Sequence, residues 1–467
     1  MGDMPFAGRT AELARLQTLF DEVQSTRTGR LVALRGRRQV GKSSLVEQFC
    51  SRSEAPSAYF TAARRQPLVA ALATFSEVIV DSQLPSASAA VGGFNSWEQA
   101  LAAATAELDA GAIIVIDELP WLLEIDDAIE GLLQRVWDTV LRKRPVLLIL
   151  VGSDLAMMDA LTEYGRPLYD RVTVHRINPL TLADVAELTG LESADAVEAW
   201  TLTGGFPNLV RAWKDQSAIE FLTTQLSDPS STFIVSGERK VTAEFPADAF
   251  ARPVLDAIGS GSRGHTTIGR RSGLGGSSLE RALSILIDKG AVTRERSYST
   301  TASKLTSYRV EDAHLRAWGR YVAPNMAAIE RGAAAPVIRR VLADWEAWKG
   351  LAIEPIVRES VLRSALRDDD LADAVHAGRW WRRDGQTELD IVLGDRTPVA
   401  KRLLAVGSIK WRQNDPFTHT DLRELTNAAQ LLPGGSEAPL VAVSRVRGSV
   451  DGLFRMWAPD DLVAAWR

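Results

Sequence analysis

Residues 30–44 read RLVALRGRRQVGKSS, and this stretch decides the fold. Arg30–Arg35 is a short, largely apolar run of strand character, Gly36 opens a turn, and Ser43–Cys50 places apolar residues at helical spacing. Spanning the turn, Gly36-Arg37-Arg38-Gln39-Val40-Gly41-Lys42-Ser43 fits G-x-x-x-x-G-K-[ST], with Ser44 next. Between a strand and a helix, such a loop can wrap its backbone N–H groups around phosphate oxygens, because glycine leaves no side chain in the way. Lys42 supplies a compact positive charge to the β- and γ-phosphates, and the Ser43 hydroxyl is a ligand for Mg²⁺. The residues expected to bind a nucleotide are therefore Gly36 through Ser44.

A second element falls in the order this chemistry requires. Ala112–Ile116 is a buried-strand run that ends in two carboxylates, Asp117 and Glu118. Asp117, at the strand's end, suits Mg²⁺ through a ligating water, and Glu118 is placed to orient or deprotonate an attacking water. A third run, Pro145–Val151, leads into Gly152-Ser153-Asp154. Ser153 there can bond a phosphate or the water, and it can equally start a helix as its cap. Further elements read as a strand at Ser57–Thr61 and helices at Ser96–Leu108 and Asp126–Leu141. Alternating strands and helices predict a parallel sheet covered by helices. No guanine-reading N-K-x-D run follows the carboxylate strand, which favours ATP without by itself choosing it over GTP.

Outward from this core, the whole chain has 467 residues, enough for two to four domains of roughly 100–200 residues each. Apolar residues make up 46% and charged residues 24%, which excludes a fibrous or largely disordered protein. A single cysteine, Cys50, excludes a disulfide scaffold and a cysteine-based zinc cluster, and five scattered histidines argue against a His-rich metal site. The net charge of −5 argues against a protein coated along its length by nucleic acid. No basic-then-apolar leader is visible and the apolar windows are too short to span a bilayer, so a cytoplasmic protein with no membrane contact is expected.

The ordered set FAGR (residues 6–9) with Glu12-Leu13, GRRQVGKSS, IVIDELPWL, LILVGSD, Pro167-Leu168-Tyr169 with Arg171, and Gly204-Gly205-Phe206-Pro207 resembles the archaeal-type ATPases. These belong to the signal-transducing (STAND) branch of AAA-like P-loop NTPases. The resemblance runs over roughly residues 5–209. It implies that Arg9 lies by the nucleotide, that Ser153 is the polar sensor, and that Arg171 contacts the γ-phosphate in cis or from a neighbouring molecule. It also implies that residues 204–207 end a helical lid and touch the nucleotide. Thr10 departs from the acid that often follows G-R in that family. Read from its residues alone, Arg171 fits a solvated surface arginine equally well.

Beyond a Ser/Asp/Pro connector at Ser227–Ser231, residues from Ala249 to Val310 read as three short helices, then two strands with a Ser/Thr-rich tip. That is the order of a winged helix-turn-helix. From Arg263 to Val310 nine Lys or Arg stand against three Asp or Glu, leaving the rest of the chain near −11. Such a concentrated basic module is the footprint of duplex DNA contact, though many modules of this kind only pack or dimerise. The segment SYRVEDAHLRAWGRYVAPN is similar to the one that comes after this module in the same ATPases. An Ala-rich stretch between Val322 and Pro336 reads as a linker or exposed helix, and Trp345–Glu359 as a helix.

Glu354, Asp390 on one strand and Lys410 on the adjoining strand follow the pattern of restriction-endonuclease-like domains, where carboxylates hold Mg²⁺ and a lysine supports the transition state. The position two before Lys410 is Ser408, which cannot replace a metal-bridging carboxylate. A non-cleaving, degenerate domain is the expectation, with a Mg²⁺-dependent nuclease as the alternative. Trp380 and Trp381, flanked by Arg379, Arg382 and Arg383, could stack on bases or fill a core. The expected fold class is thus α/β. It comprises a P-loop NTPase core (1–180), a helical lid (181–240), a winged helix-turn-helix (245–325) and an endonuclease-like α/β domain (335–467). The expected partners are ATP with Mg²⁺, duplex DNA through the winged helix, and another protein or a second copy of the chain.

Overall fold

A computed structural model describes residues 6, 8–244, 250–259 and 261–467, in two compact units that meet in sequence between Pro179 and Leu180. Ala7 of the amino-terminal motif and Ala249, where the three-helix segment was expected to begin, lie outside the described residues.

In the first unit five strands form one parallel sheet: β1 (Arg30–Arg35), β2 (Ser57–Thr61), β3 (Ala112–Asp117), β4 (Val146–Gly152) and β5 (Thr173–Arg176). Their order is β2-β3-β4-β1-β5. β3 and β4 are buried along their whole length, which is why they are continuous apolar runs rather than alternating ones. On the β2 side Phe60, Phe75 and Trp97 pack with ring centroids 5.2 to 5.6 Å apart. The expected helices at 96–108 and 126–141 are shorter, Trp97–Ala104 and Ala128–Thr139. Ser96 caps the first by accepting from the Gln99 N–H.

Register fixes where the site must be. Arg35 lies beside Gly152, and Ile116 beside Leu150. The chain therefore leaves β1 at Gly36, β3 after Asp117 and β4 at Ser153 along one edge of the sheet. In open parallel sheets that carboxyl edge is where ligands bind.

The second unit begins with five helices, Leu182–Thr189, Ser193–Thr203, Pro207–Ala212, Ala218–Ser227 and Thr232–Glu244. Helices Ala251–Ile258, His265–Ser272 and Gly276–Asp288 come next, with β6 (Ser262–Arg263), β7 (Val292–Arg296) and β8 (Thr306–Val310) in an antiparallel sheet ordered β6-β8-β7. The last sheet is mixed. β9 (His376–Trp381), β10 (Glu388–Gly394) and β11 (Leu403–Lys410) are antiparallel neighbours, while β12 (Leu440–Ser444) and β13 (Arg455–Trp457) add on in parallel.

Of the two readings of the Ala-rich stretch, linker or exposed helix, the helical one holds, with Met326–Glu330 followed by a long helix, Ala334–Ala352, and one expectation for this unit changes. The helix expected over 345–359 is broken at Ile353, and Glu354 begins a new one, Glu354–Ala365. Pro355, lacking an N–H, cannot continue the first helix but is tolerated in the first turn of the second.

One buried ion pair ties the end of the five-helix segment to the start of helix Ala313–Tyr321, just beyond the β7–β8 hairpin. Lys240 Nζ lies 2.9 Å from Asp312 Oδ2, with side-chain exposures of 1% and 0%. The same ammonium is 3.1 Å from the centroid of the Phe206 ring. Phe206 belongs to the Gly204–Pro207 motif, so in this unit that motif serves as the floor of a charged, desolvated joint.

Candidate nucleotide site

The loop after β1 has the backbone that phosphate cradling needs. Gly41, at the amino end of helix Lys42–Ser53, has φ 88°, and Gln39 has φ 66°. Gly36 is required for space. A Cβ there would come within 2.3 Å of the Ile177 carbonyl oxygen. Lys42 is buried, and its Nζ donates to the carbonyl oxygens of Gly36 at 2.8 Å and Arg37 at 3.1 Å. The ammonium therefore sits inside the curl of the loop, above a helix amino terminus that favours anions. Arg38 places its guanidinium 6.0 Å from the centroid of Trp121.

β3 delivers the carboxylates to this loop. Ser43 Oγ donates to Asp117 Oδ2 at 2.7 Å, across 74 residues of sequence. Tyr59, on neighbouring β2, donates its hydroxyl to the same oxygen, also at 2.7 Å. The Glu118 N–H donates to Asp117 Oδ1 at 2.8 Å, so both oxygens of this buried carboxylate are engaged. Burial and the adjacent Asp117 charge push the Tyr59 phenol well above its ordinary pKa, and it remains a hydrogen-bond donor at every working pH. Tyr59 was not singled out from the sequence.

Glu118 itself has φ 54°, a left-handed conformation that a non-glycine residue adopts at a cost of order 1 kcal/mol or more. That turn brings its side chain to β4. Ser153 Oγ donates to Glu118 Oε2 at 2.9 Å, and lies 3.3 Å from Oε1. The next helix is capped by Asp154, which accepts from the Met157 N–H, leaving the Ser153 hydroxyl for Glu118.

Two other expected residues have different surroundings. Arg9, 5% exposed, donates to the Val40 carbonyl at 2.7 Å and to Glu12 at 2.9 Å, bracing the loop from the side. Arg171 forms a forked pair with Asp138 at 2.9 to 3.1 Å and donates to the Tyr169 carbonyl at 3.0 Å. The structure thus brings Lys42, Ser43, Asp117, Glu118 and Ser153 together, sets Arg9 behind the loop and holds Arg171 on Asp138. Ser44 comes next in the helix, half-buried.

The donor set suits Mg²⁺. A serine hydroxyl and a carboxylate oxygen 2.7 Å apart are hard oxygen ligands, and a magnesium ion on substrate phosphates takes one or two such protein groups. Residues 5–151 match the AAA ATPase domain. Residues 318–424 match a second family model, described as archaeal and bacterial proteins of unknown function. An uncharacterized protein of Methanocaldococcus jannaschii is 27% identical over 304 residues, which span 64% of this chain and 67% of that one. Among solved structures, the chain is similar to a Walker-type ATPase of Pyrococcus abyssi, with 17% identity, 67% of this chain and 96% of that one covered, and a TM-score of 0.48. It is likewise similar to the Aeropyrum pernix ORC2 protein in ADPNP–ADP complexes, with 14% identity, coverage of 73% and 97%, and a TM-score of 0.49. The AAA ATPase domain thus includes the loop, both carboxylates and β4 up to Val151, and ends two residues before Ser153.

In the last sheet, β10 and β11 put Asp390 beside Ser408, as the strand order requires. Asp390 Oδ2 accepts from Ser408 Oγ at 2.9 Å and from the Ile409 N–H at 2.8 Å. Arg358 Nη1 donates to Glu354 at 3.1 Å and to the Asp390 carbonyl at 3.2 Å. Lys410 Nζ turns to Asp421 and Glu424, at 3.7 and 3.8 Å. Burial raises the Glu354 carboxyl to about 7 against the pull of Arg358, and nearby Asp390 adds to the rise. Among the described residues no group of three His, Cys, Asp or Glu could hold a metal ion.

Proposed function

We propose that the chain is an ATP-hydrolysing molecular switch whose nucleotide state governs binding to DNA or to another protein. The observation that carries this reading is the contact chain Lys42–loop, Ser43–Asp117 and Glu118–Ser153 at one sheet edge. Lys42 neutralises charge on the β- and γ-phosphates as water attacks in line. Ser43 and Asp117 would hold Mg²⁺, which would supply further charge neutralisation at the phosphates. Glu118 takes the proton of the attacking water. Ser153 fixes that carboxylate and is a positioning residue. Arg9 keeps the loop in shape through the Val40 carbonyl. Arg171, forked onto Asp138, is given no phosphate contact in this reading.

The test is phosphate release from ATP by the full chain, with and without duplex DNA, beside Glu118→Gln. Loss of a general base is expected to slow turnover by about 10²–10⁴-fold while leaving ATP bound. Unchanged turnover in Glu118→Gln removes the assignment. Stimulation by DNA selects DNA as the coupled partner, and indifference to it selects a protein.

DNA contact has its own support in the middle module, read as a winged helix-turn-helix. Arg270 and Arg271, in the last turn of helix His265–Ser272, and Arg281 of the next helix are all exposed. The charge available is smaller than the count over 263–310 implied. Arg309 is buried between Glu295 and Glu311. Salt-dependent duplex binding lost in Arg270→Glu/Arg271→Glu supports this partner, and no binding at low salt rejects it. The carboxyl-terminal domain is read as non-cleaving, since a serine and an arginine occupy the neighbourhood of Asp390 and Glu354.

A further inference from the structure

A cavity of about 440 Å³ opens in the second unit between β7 and β9. Four arginines line it, Arg294, Arg296, Arg358 and Arg379, against a single carboxylate, Glu295. Arg294 and Arg296 are exposed on the hairpin, Arg379 is half-buried and Arg358 is buried. Glu295 already behaves as an internal anion for this cluster. It accepts from Arg379 Nε at 2.9 Å and Arg309 Nε at 3.2 Å, and Arg358 Nη2 lies 3.9 Å away. Burial would raise its carboxyl, but Arg309, Arg358 and Arg379 outweigh that and hold it at about 2. Even so, the lining sets four arginines against one carboxylate, with Arg358 also paired to Glu354 at 3.1 Å. Behind it, the buried Arg309 Nη1 has no hydrogen-bond partner among the described residues.

We propose that this cavity is a binding site for a terminal phosphomonoester on a ligand of mononucleotide size. Guanidinium forks match the paired oxygens of a phosphate, and several arginines lining one cavity favour a dianion over a single carboxylate. The volume lies within the range of small-ligand pockets, about 300–1,000 Å³, and is too small for a duplex. His376, on the same wall, is pushed below its ordinary pKa by burial and then by Arg358, so at neutral pH it offers an uncharged ring. The ligand could be a free nucleotide or the 5′-phosphorylated end of a strand, the shared chemistry being the phosphomonoester. All of its lining residues belong to the second unit, and the loop at Gly36–Ser43 to the first.

Calorimetric titration of the full chain with 5′-AMP tests it, with adenosine as the control lacking phosphate. Expected are one saturable AMP site, adenosine weaker by at least about tenfold, and the same AMP affinity in Lys42→Ala. Arg294→Glu/Arg296→Glu, both exposed, should weaken AMP by at least about tenfold without changing the melting curve. Glu295→Gln should tighten AMP, because it frees Arg379 and raises the lining charge. A 5′-phosphorylated tetranucleotide that displaces AMP where its 5′-hydroxyl form does not makes strand ends the source, and failure of both to compete makes it the free nucleotide. No saturable AMP binding, AMP binding lost in Lys42→Ala, or AMP binding indifferent to the arginine reversals overturns the proposal.

Discussion

Gly36→Ala puts the phosphate loop under a stress whose size the structure fixes. The new Cβ would stand 2.3 Å from the Ile177 oxygen and 3.2 Å from Val40 Cγ2. Ordinary contact with the oxygen needs about 1 Å more. Ile177 cannot retreat freely, because its N–H is bonded to the Arg35 carbonyl at 2.7 Å, at the end of β1. The loop must move instead. Overpacking of this kind costs about 1–3 kcal/mol of stability. A displacement of about 1 Å at a group that positions a reacting phosphate can cost about 10²-fold in rate. The expected result is a lower melting temperature and turnover with Mg²⁺ and ATP reduced by one to two orders of magnitude. Gly131→Ala is the control, since nothing lies within 4 Å of a Cβ there, and a helical Ala is expected to add about 0.5–1 kcal/mol. Removing the softer contact with Gly36→Ala/Val40→Ala should not restore activity, because the backbone oxygen remains. Wild-type turnover and ATP affinity in Gly36→Ala would refute the reasoning outright.

Ser153→Ala frees the Glu118 carboxylate and is expected to lower kcat by about tenfold with little change in KM, read in steady-state phosphate release; a larger change in KM than in kcat would assign Ser153 to ground-state binding instead. Tyr59→Phe removes one of two hydroxyl donors from Asp117 Oδ2, so a loss of about 1.5–3 kcal/mol is expected in chemical denaturation, and an unchanged midpoint would mean the bond contributes nothing. In the second unit the pH dependence should have two opposed parts. Glu295, held at about 2 in the folded chain, contributes stability that is present above its ordinary value near 4.5 and lost as pH falls toward 2, worth about 3 kcal/mol. Glu354, raised to about 7, contributes stability present below pH 4.5 and lost as pH rises through 7. Denaturation midpoints across pH 2–8 for Glu295→Gln and Glu354→Gln should each lose their own part, and parallel curves would reject both.

The nucleotide core was legible because its strands are buried on both faces, so β1, β3 and β4 announce themselves as apolar runs ending in the residues that matter. β5 has the half-exposed sequence Thr-Val-His-Arg and no such signal. Tyr59 was hidden for a different reason. Its role depends on β2 lying next to β3, with Thr61 beside Asp117, and adjacency of strands is a tertiary fact that periodicity does not carry. Arg9 likewise finds its partner, the Val40 carbonyl, 31 residues away. The break at Ile353 could have been read from Pro355.

Counting charges misleads in a more general way. The sequence from Arg263 to Val310 presents an excess of six positive residues, yet the fold gives them unequal standing. Arg309 is spent on Glu295 and Glu311 in the interior, and the Arg263 Nε bonds the Ile258 carbonyl at 2.8 Å. Arg270, Arg271 and Arg281 remain on the helices, while Arg294 and Arg296 are in the lining of a cavity that also gathers Arg358 and Arg379 from elsewhere in the chain. One basic stretch is therefore split between two surfaces. The helical arginines suit a long polyanion, and the hairpin arginines suit a small one. Reversing one pair should leave the binding associated with the other intact, an independence that a single continuous nucleic-acid face would not produce.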